Sequence, residues 1–196
     1  LLQIYSKVFE KLNLDVEIQY NNRKVLLAFM QAIGLKGKET LGITILDKLD
    51  KIGLEKLANE LKALNLTEEQ VELFKNVVEN NDISLIPSSK LLEIGKQEIE
   101  FLNQFNIKST SFKISLARGL DYYTGSIFEV VTNEYEIGSI GGGGRYDNLT
   151  EMFGKKDLTG VGVSFGLERI YDVMEALNKF PENLKLSSKI LFVHFS

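Results

Sequence analysis

Gly160-Val161-Gly162-Val163-Ser164-Phe165-Gly166-Leu167-Glu168-Arg169 is the stretch on which the fold class turns. Its first half alternates with period two. That predicts a strand with Val161, Val163 and Phe165 on a core face and Gly160, Gly162, Ser164 and Gly166 on the other. The second face is almost bare of side chains. It loses packing unless something flat lies on it, such as another backbone or the base and sugar of a nucleotide. From Gly166 the apolar spacing becomes helical and continues to Leu177, so a strand feeds directly into a helix. Arg169 falls in the first turn of that helix, where a positive charge is unfavourable by about 0.3–1 kcal/mol. The position suits an arginine that reaches across the bare face toward an anion. Close helix–sheet packing against the glycines is the competing explanation.

Working outward, the spacing predicts a short helix over 146–153, a turn over 138–144, and strands over 126–131 and 112–116. Near the start, 1–12 reads as an amphipathic helix, 14–20 as a half-buried strand, and Asn21 or Asn22 as the cap of a helix ended by Gly34. Between 35 and 106 the composition shifts to Lys, Glu, Leu and Asn at helical spacing, with four helices over 43–51, 54–64, 67–79 and 88–105. Thr67-Glu68-Glu69-Gln70 has the form of a capping box. An apolar strand is expected over 189–195. The expected class is therefore α+β, strands with flanking helices and an all-helical unit set among them.

Composition removes several chemistries. There is no cysteine, which excludes a disulfide scaffold and thiolate metal sites and fits a reducing compartment. The single histidine, His194, cannot join a multi-histidine metal site, and it reads as a core or edge residue. Arginine, lysine, carboxylates, tyrosines and backbone amides are left to do any chemistry. The 23 basic and 27 acidic residues give a net charge of -4, with no long basic run, so charge gives no independent support for nucleic-acid binding. No apolar run approaches the roughly 20 residues of a membrane span.

Two further stretches carry candidate chemistry. In Leu116-Ala117-Arg118-Gly119-Leu120-Asp121-Tyr122-Tyr123-Thr124-Gly125, an arginine ends a strand and a glycine lets the chain turn at once. The guanidinium fork can hold a carboxylate or phosphate by two parallel hydrogen bonds, and the tyrosines offer rigid faces with hydroxyls. An Arg118–Asp121 pair beside tyrosines that merely cover an apolar edge is the alternative. In Gly141-Gly142-Gly143-Gly144-Arg145-Tyr146-Asp147, four glycines suit a backbone that a ligand approaches closely, or else a flexible hairpin loop.

Taken together, these stretches resemble the histidyl-tRNA synthetases. The run from Arg118 to Tyr123 resembles the first histidine signature of that family, and Gly142 to Asp147 resembles the second. The run from Gly162 to Arg169 resembles motif 3 of the class II synthetases, and Asp47-Lys48-Leu49-Asp50-Lys51 resembles the start of the family's helical insertion. The resemblance implies that Arg118 acts in catalysis by holding the histidine carboxylate and the α-phosphate of ATP. It implies that Tyr122, Tyr123, Gly142, Gly143 and Tyr146 form the histidine side, with Tyr123 and Tyr146 reading the imidazole. Gly162, Ser164, Gly166 and Arg169 would form the ATP side. ATP with Mg²⁺, L-histidine and tRNA(His) are the implied ligands, with no metal held by the protein itself, in a cytoplasmic homodimer. The implied fold is part of the antiparallel sheet of that class with flanking helices, divided into catalytic core over 1–34, helical insertion over 35–108, catalytic core again over 109–187, and the start of an anticodon-binding domain over 188–196.

Motifs 1 and 2 of the class are missing from the sequence, and with them a second ATP-binding arginine. The expectation is that these 196 residues alone do not charge tRNA. The sequence is also compatible with two other classes of function. One is a non-catalytic synthetase paralogue that senses histidine or tRNA as a regulatory subunit. The other is an interaction domain in which the glycines serve packing alone.

Overall fold

A computed structural model describes residues 1–117, 122–155 and 157–181 of the chain. Its centre is a five-stranded sheet built from β1 (Glu17–Asn22), β2 (Thr110–Phe112), β3 (Ser126–Val131), β4 (Gly141–Arg145) and β5 (Val161–Phe165), in the order β2-β1-β3-β4-β5. All pairs are antiparallel except β1 with β2, which is parallel. Register assigns the faces. Ile18, Tyr20, Phe128, Val130, Val163 and Phe165 share one face, while Gln19, Ile127, Glu129, Gly142, Gly144 and Ser164 share the other.

The apolar face is covered from α1 (Leu2–Lys11) and α7 (Lys90–Asn103). Tyr5 and Phe9 of α1 are fully buried, with the Tyr5 ring edge-on to Phe128 at 5.8 Å and to Phe165 at 4.7 Å. The Tyr20 hydroxyl donates to Asn103 of α7 at 2.6 Å. Cover is incomplete: Val161 is 54% exposed and Phe165 38%, so the core face expected for β5 is only half a core face.

Between β1 and β2 the chain forms α2 (Arg23–Ala32), α3 (Glu39–Leu46), α4 (Leu49–Ile52), α5 (Leu54–Lys62), α6 (Glu68–Asn80) and α7, with a 3₁₀ turn at Ile83–Leu85. Asn22 caps α2, accepting from the Lys24 N–H at 2.9 Å. The capping box of α6 forms, with Thr67 N–H donating to Gln70 at 2.9 Å and Gln70 N–H to the Thr67 hydroxyl at 3.3 Å. The helix expected over 43–51 is two helices, the first starting at Glu39. Gly42, inside the first of them, is where α3 crosses α2: a Cβ there would sit 2.4 Å from the Met30 sulfur. The buried residues of this helical block, including Phe29 stacked on Phe74 at 5.5 Å, belong to one continuous cluster with those under the sheet.

The strand expected over 112–116 is shifted. Pairing ends near Phe112, and by Leu116 the chain has turned, its N–H donating to the Lys113 carbonyl at 3.0 Å. The turn expected over 138–144 is the larger correction, because Gly141–Arg145 is an inner strand of the sheet. Glycine weakens a strand through its backbone entropy, but β4 is hydrogen-bonded on both sides, and at Gly143 and Gly144 its neighbours lie too close for side chains. A Cβ on Gly143 would come 2.1 Å from the Gly162 carbonyl oxygen. Two more helices follow where expected, α8 (Asp147–Met152) and α9 (Leu167–Ala176). The stretch 189–195, with His194, lies outside the described residues.

Candidate functional site

The polar face of the sheet opens into a cavity of about 630 Å³. Its floor is the glycine strand: a Cβ on Gly142 would meet only the Phe128 carbonyl oxygen, at 3.3 Å. Tyr5 braces this floor from the opposite face, its hydroxyl held by the carbonyls of Gly142 and Ser164. Burial pushes that hydroxyl above the usual phenol range despite those two bonds.

One wall carries Tyr122 and Tyr123, whose ring centroids are 4.5 Å apart. Tyr123 packs on Gly144, where a Cβ would meet its ring at 2.8 Å. Burial, reinforced by the neighbouring Tyr122 hydroxyl, holds the Tyr123 hydroxyl far above the ordinary phenol value. It is therefore a neutral hydrogen-bonding group at any physiological pH. The opposite wall carries Ser164, Gly166 and Arg169. The Arg169 guanidinium donates to the Ser139 carbonyl at 2.6 Å, which fixes its direction at the rim.

Seven of the expected residues thus line one cavity: Tyr122, Tyr123, Gly142, Gly143, Ser164, Gly166 and Arg169. Gly162 and Tyr146 do not line it. A Cβ on Gly162 would lie 2.2 Å from the Tyr146 hydroxyl oxygen, and one on Gly160 would lie 2.6 Å from the same ring. The bare face expected at Gly162 is therefore filled by the protein's own tyrosine, and only its Ser164 end is open. Tyr146 stands edge-on to Tyr122 at 6.0 Å and supports the tyrosine wall. Arg118 lies outside the described residues.

Two further residues, Asp147 and Asn21, shape the site. Asp147 accepts from the Arg145 Nε at 2.8 Å, the Thr124 hydroxyl at 3.1 Å and the Gly160 N–H at 3.2 Å. Burial pushes its carboxyl up, but these donors outweigh that and hold it below the usual carboxylate value. Asp147 thereby joins both signatures to the start of β5. Asn21, fully buried, donates to the carbonyls of Ile114 at 2.9 Å and Leu116 at 3.1 Å and so holds the chain entering the first signature. The sequence offered Asn21 only as an alternative to Asn22 for the cap of α2, a place that Asn22 takes. Among the described residues, no group of three or more histidine or carboxylate side chains is placed to hold a metal ion.

The family profile described as histidyl-tRNA synthetase matches residues 1–170, which includes every strand of this sheet. The chain belongs to the histidyl-tRNA synthetase family. The histidine–tRNA ligase of Christiangramia forsetii is 40% identical over 211 residues, covering 99% of this chain and 46% of its own length. That of Porphyromonas gingivalis is 41% identical over 210 residues, covering 100% of this chain and 46% of its own length. The chain therefore spans about half the length of these relatives. Among solved structures, the histidyl-tRNA synthetase of a Nostoc species superposes with a TM-score of 0.79 at 30% identity, over 92% of this chain and 47% of that one. An ATP phosphoribosyltransferase regulatory subunit/histidyl-tRNA synthetase from Bacillus halodurans C shares the fold at a TM-score of 0.69 and 19% identity, over 90% of this chain and 49% of that one.

Proposed function

We propose that this chain supplies a large part of the site in which histidine is activated by ATP and passed to tRNA(His), in a class II synthetase acting as a cytoplasmic homodimer. One observation carries the reading. Tyrosines of the first histidine signature, glycines of the second, and Ser164, Gly166 and Arg169 of the motif 3 stretch line a single cavity.

In this reading a histidine carboxylate oxygen attacks the α-phosphorus of ATP, the bond to the bridging oxygen breaks, and pyrophosphate leaves. A ribose hydroxyl of the terminal tRNA adenosine then attacks the carbonyl carbon of histidyl-adenylate and AMP leaves. The first step is an in-line displacement in which the protein contributes placement and charge, with little covalent work. Arg118 binds the carboxylate and the α-phosphate and offsets the charge that builds between them. Tyr123, being neutral, offers a hydroxyl to the imidazole, with Tyr122 beside it and Tyr146 supporting both. The bare backbone of Gly142 admits the amino acid, with Gly143 beside it in the cavity lining. Ser164 and Gly166 leave room for the nucleotide, and Arg169 faces its phosphates from the rim. Mg²⁺ accompanies ATP on its phosphates, held mainly by substrate oxygens and water.

The test is histidine-dependent ATP–pyrophosphate exchange by the full-length protein. We expect exchange with L-histidine and none with L-glutamine. Replacing Arg118 by Ala should slow it by roughly 10²–10³, the effect of losing one preorganised donor. A loss below about tenfold would remove Arg118 from that role. Histidine binding without any exchange would favour a non-catalytic, histidine-sensing paralogue.

A further inference from the structure

The segment from Ile114 to Thr124 carries the first signature, and both of its described ends are tied to the helical block. On the entering side stands Asn81, which closes α6 in a left-handed conformation with φ of 50°. Its Nδ2 donates to the Phe112 carbonyl at 2.7 Å and its Oδ1 accepts from the Ile114 N–H at 2.7 Å. On the leaving side, the Lys24 ammonium donates to the Thr124 carbonyl at 3.0 Å and pairs with Glu98 of α7 at 2.7 Å. Asn22 donates to the other Glu98 oxygen at 2.6 Å. Glu98 reaches this point because Gly95, three residues earlier on α7, has no side chain. A Cβ there would lie 2.7 Å from the Val25 side chain and 3.1 Å from its backbone nitrogen.

Thr124 passes the grip on to the site. Its N–H donates to the Arg145 carbonyl at 2.9 Å, and its hydroxyl meets Asp147 at 3.1 Å. One residue before it, Tyr123 rests on the glycine floor.

We propose that Asn81 and the Glu98–Lys24 pair are positioning residues. Through them the helical block clamps both ends of the first signature and holds Tyr122 and Tyr123 against the floor of the pocket. A shift of the block, or loss of either clamp, then changes the affinity for the amino acid while ATP binding is spared. The amino-acid part of this inference rests on the histidine-activating reading. The clamp itself does not.

The test uses the full-length protein with Lys24→Met, Lys24→Arg, Glu98→Gln and Asn81→Gly. Glycine at 81 keeps the left-handed backbone while removing the side chain. In pyrophosphate exchange, Lys24→Met should raise the KM for histidine about tenfold, the lower range for losing a hydrogen bond to a charged group. The KM for ATP should stay within about twofold, Lys24→Arg should recover most of the loss, and Glu98→Gln should fall between. Amide hydrogen exchange gives a readout independent of activity. Peptides over 122–126 should exchange faster in Lys24→Met, and peptides over 112–116 faster in Asn81→Gly. Should Lys24→Met fail to fold, Asn81→Gly and Glu98→Gln carry the same comparison. Unchanged protection at both ends would overturn the clamp. Lower thermal stability with both KM values unchanged would reduce the bonds to scaffolding, and equal rises in both KM values would deny the selectivity. An unmodified protein without histidine-dependent exchange would instead sink the functional reading, and the amide exchange would still decide the clamp.

Discussion

Asp147 shows how one carboxylate can do the work of a hinge pin. It gathers donors from Arg145, Thr124 and Gly160, so both signatures and the lead into β5 meet at two oxygens. Its carboxyl sits below the ordinary value of 3.8 in the folded protein. Its stabilising contribution is therefore complete above that value and is lost as pH falls through the lower folded value. We expect Asp147→Asn to destabilise the protein by about 1–2 kcal/mol at neutral pH. The gap to the unmodified protein should close only as denaturation midpoints are taken below pH 3.8 and through the lower folded value. A gap that held constant into acid would mean the charge itself contributes nothing. At this scale the sequence was legible in kind but not in aim. Seven of the residues lining the cavity are ones that the resemblance implied, while their order and type alone left packing as an equal explanation. That Tyr146 would cover Gly162 could not, because a side chain's direction depends on a partner strand that the local sequence does not specify.

Among the elements, β4 was least legible and is most informative. Four glycines read locally as a loop, since local propensity counts backbone entropy and does not see two flanking ladders. Pairing with β3 and β5 fixes β4 as a strand, while the crowding that calls for glycine differs from position to position. Gly143 faces the Gly162 carbonyl oxygen, at 2.1 Å from where a Cβ would lie, whereas Gly142 faces an open cavity. Gly143→Ala should therefore cost about 1–3 kcal/mol in urea denaturation, the range for overpacking a close-packed interior. Gly142→Ala should cost clearly less while weakening histidine binding by calorimetry. Equal stability losses at the two positions would show that the open floor is an error. Helices were read better because caps are local: Asn22, Thr67 and Gln70 each act within a few residues of their own position. The split between α3 and α4 escaped because the apolar spacing runs on through Asp47 and Lys48, where the helix breaks.

At the scale of the molecule, the chain reads as a sheet with a helical block set into it, and the fold class follows from that pattern. The continuous core does not, since α2 serves both parts at once. Tyrosine placement makes this testable. All 7 tyrosines lie outside residues 35–108 and there is no tryptophan, so near-ultraviolet dichroism reports the sheet while the 222 nm signal is dominated by helices. Both signals should follow one urea transition with a common midpoint. Separate midpoints would show that the block unfolds by itself. The strand order also has a consequence in time. Both neighbours of β1 come after the helical block, the nearer ending its wait only at Thr110. At roughly 5–20 residues per second of synthesis, β1 spends several seconds with two open edges. Helices α3 to α7 emerge in that interval and have α2, the neighbour of β1 in the chain, to settle on. For a nascent chain, then, the block is a waiting room, built before the strands whose signatures it will hold have been made.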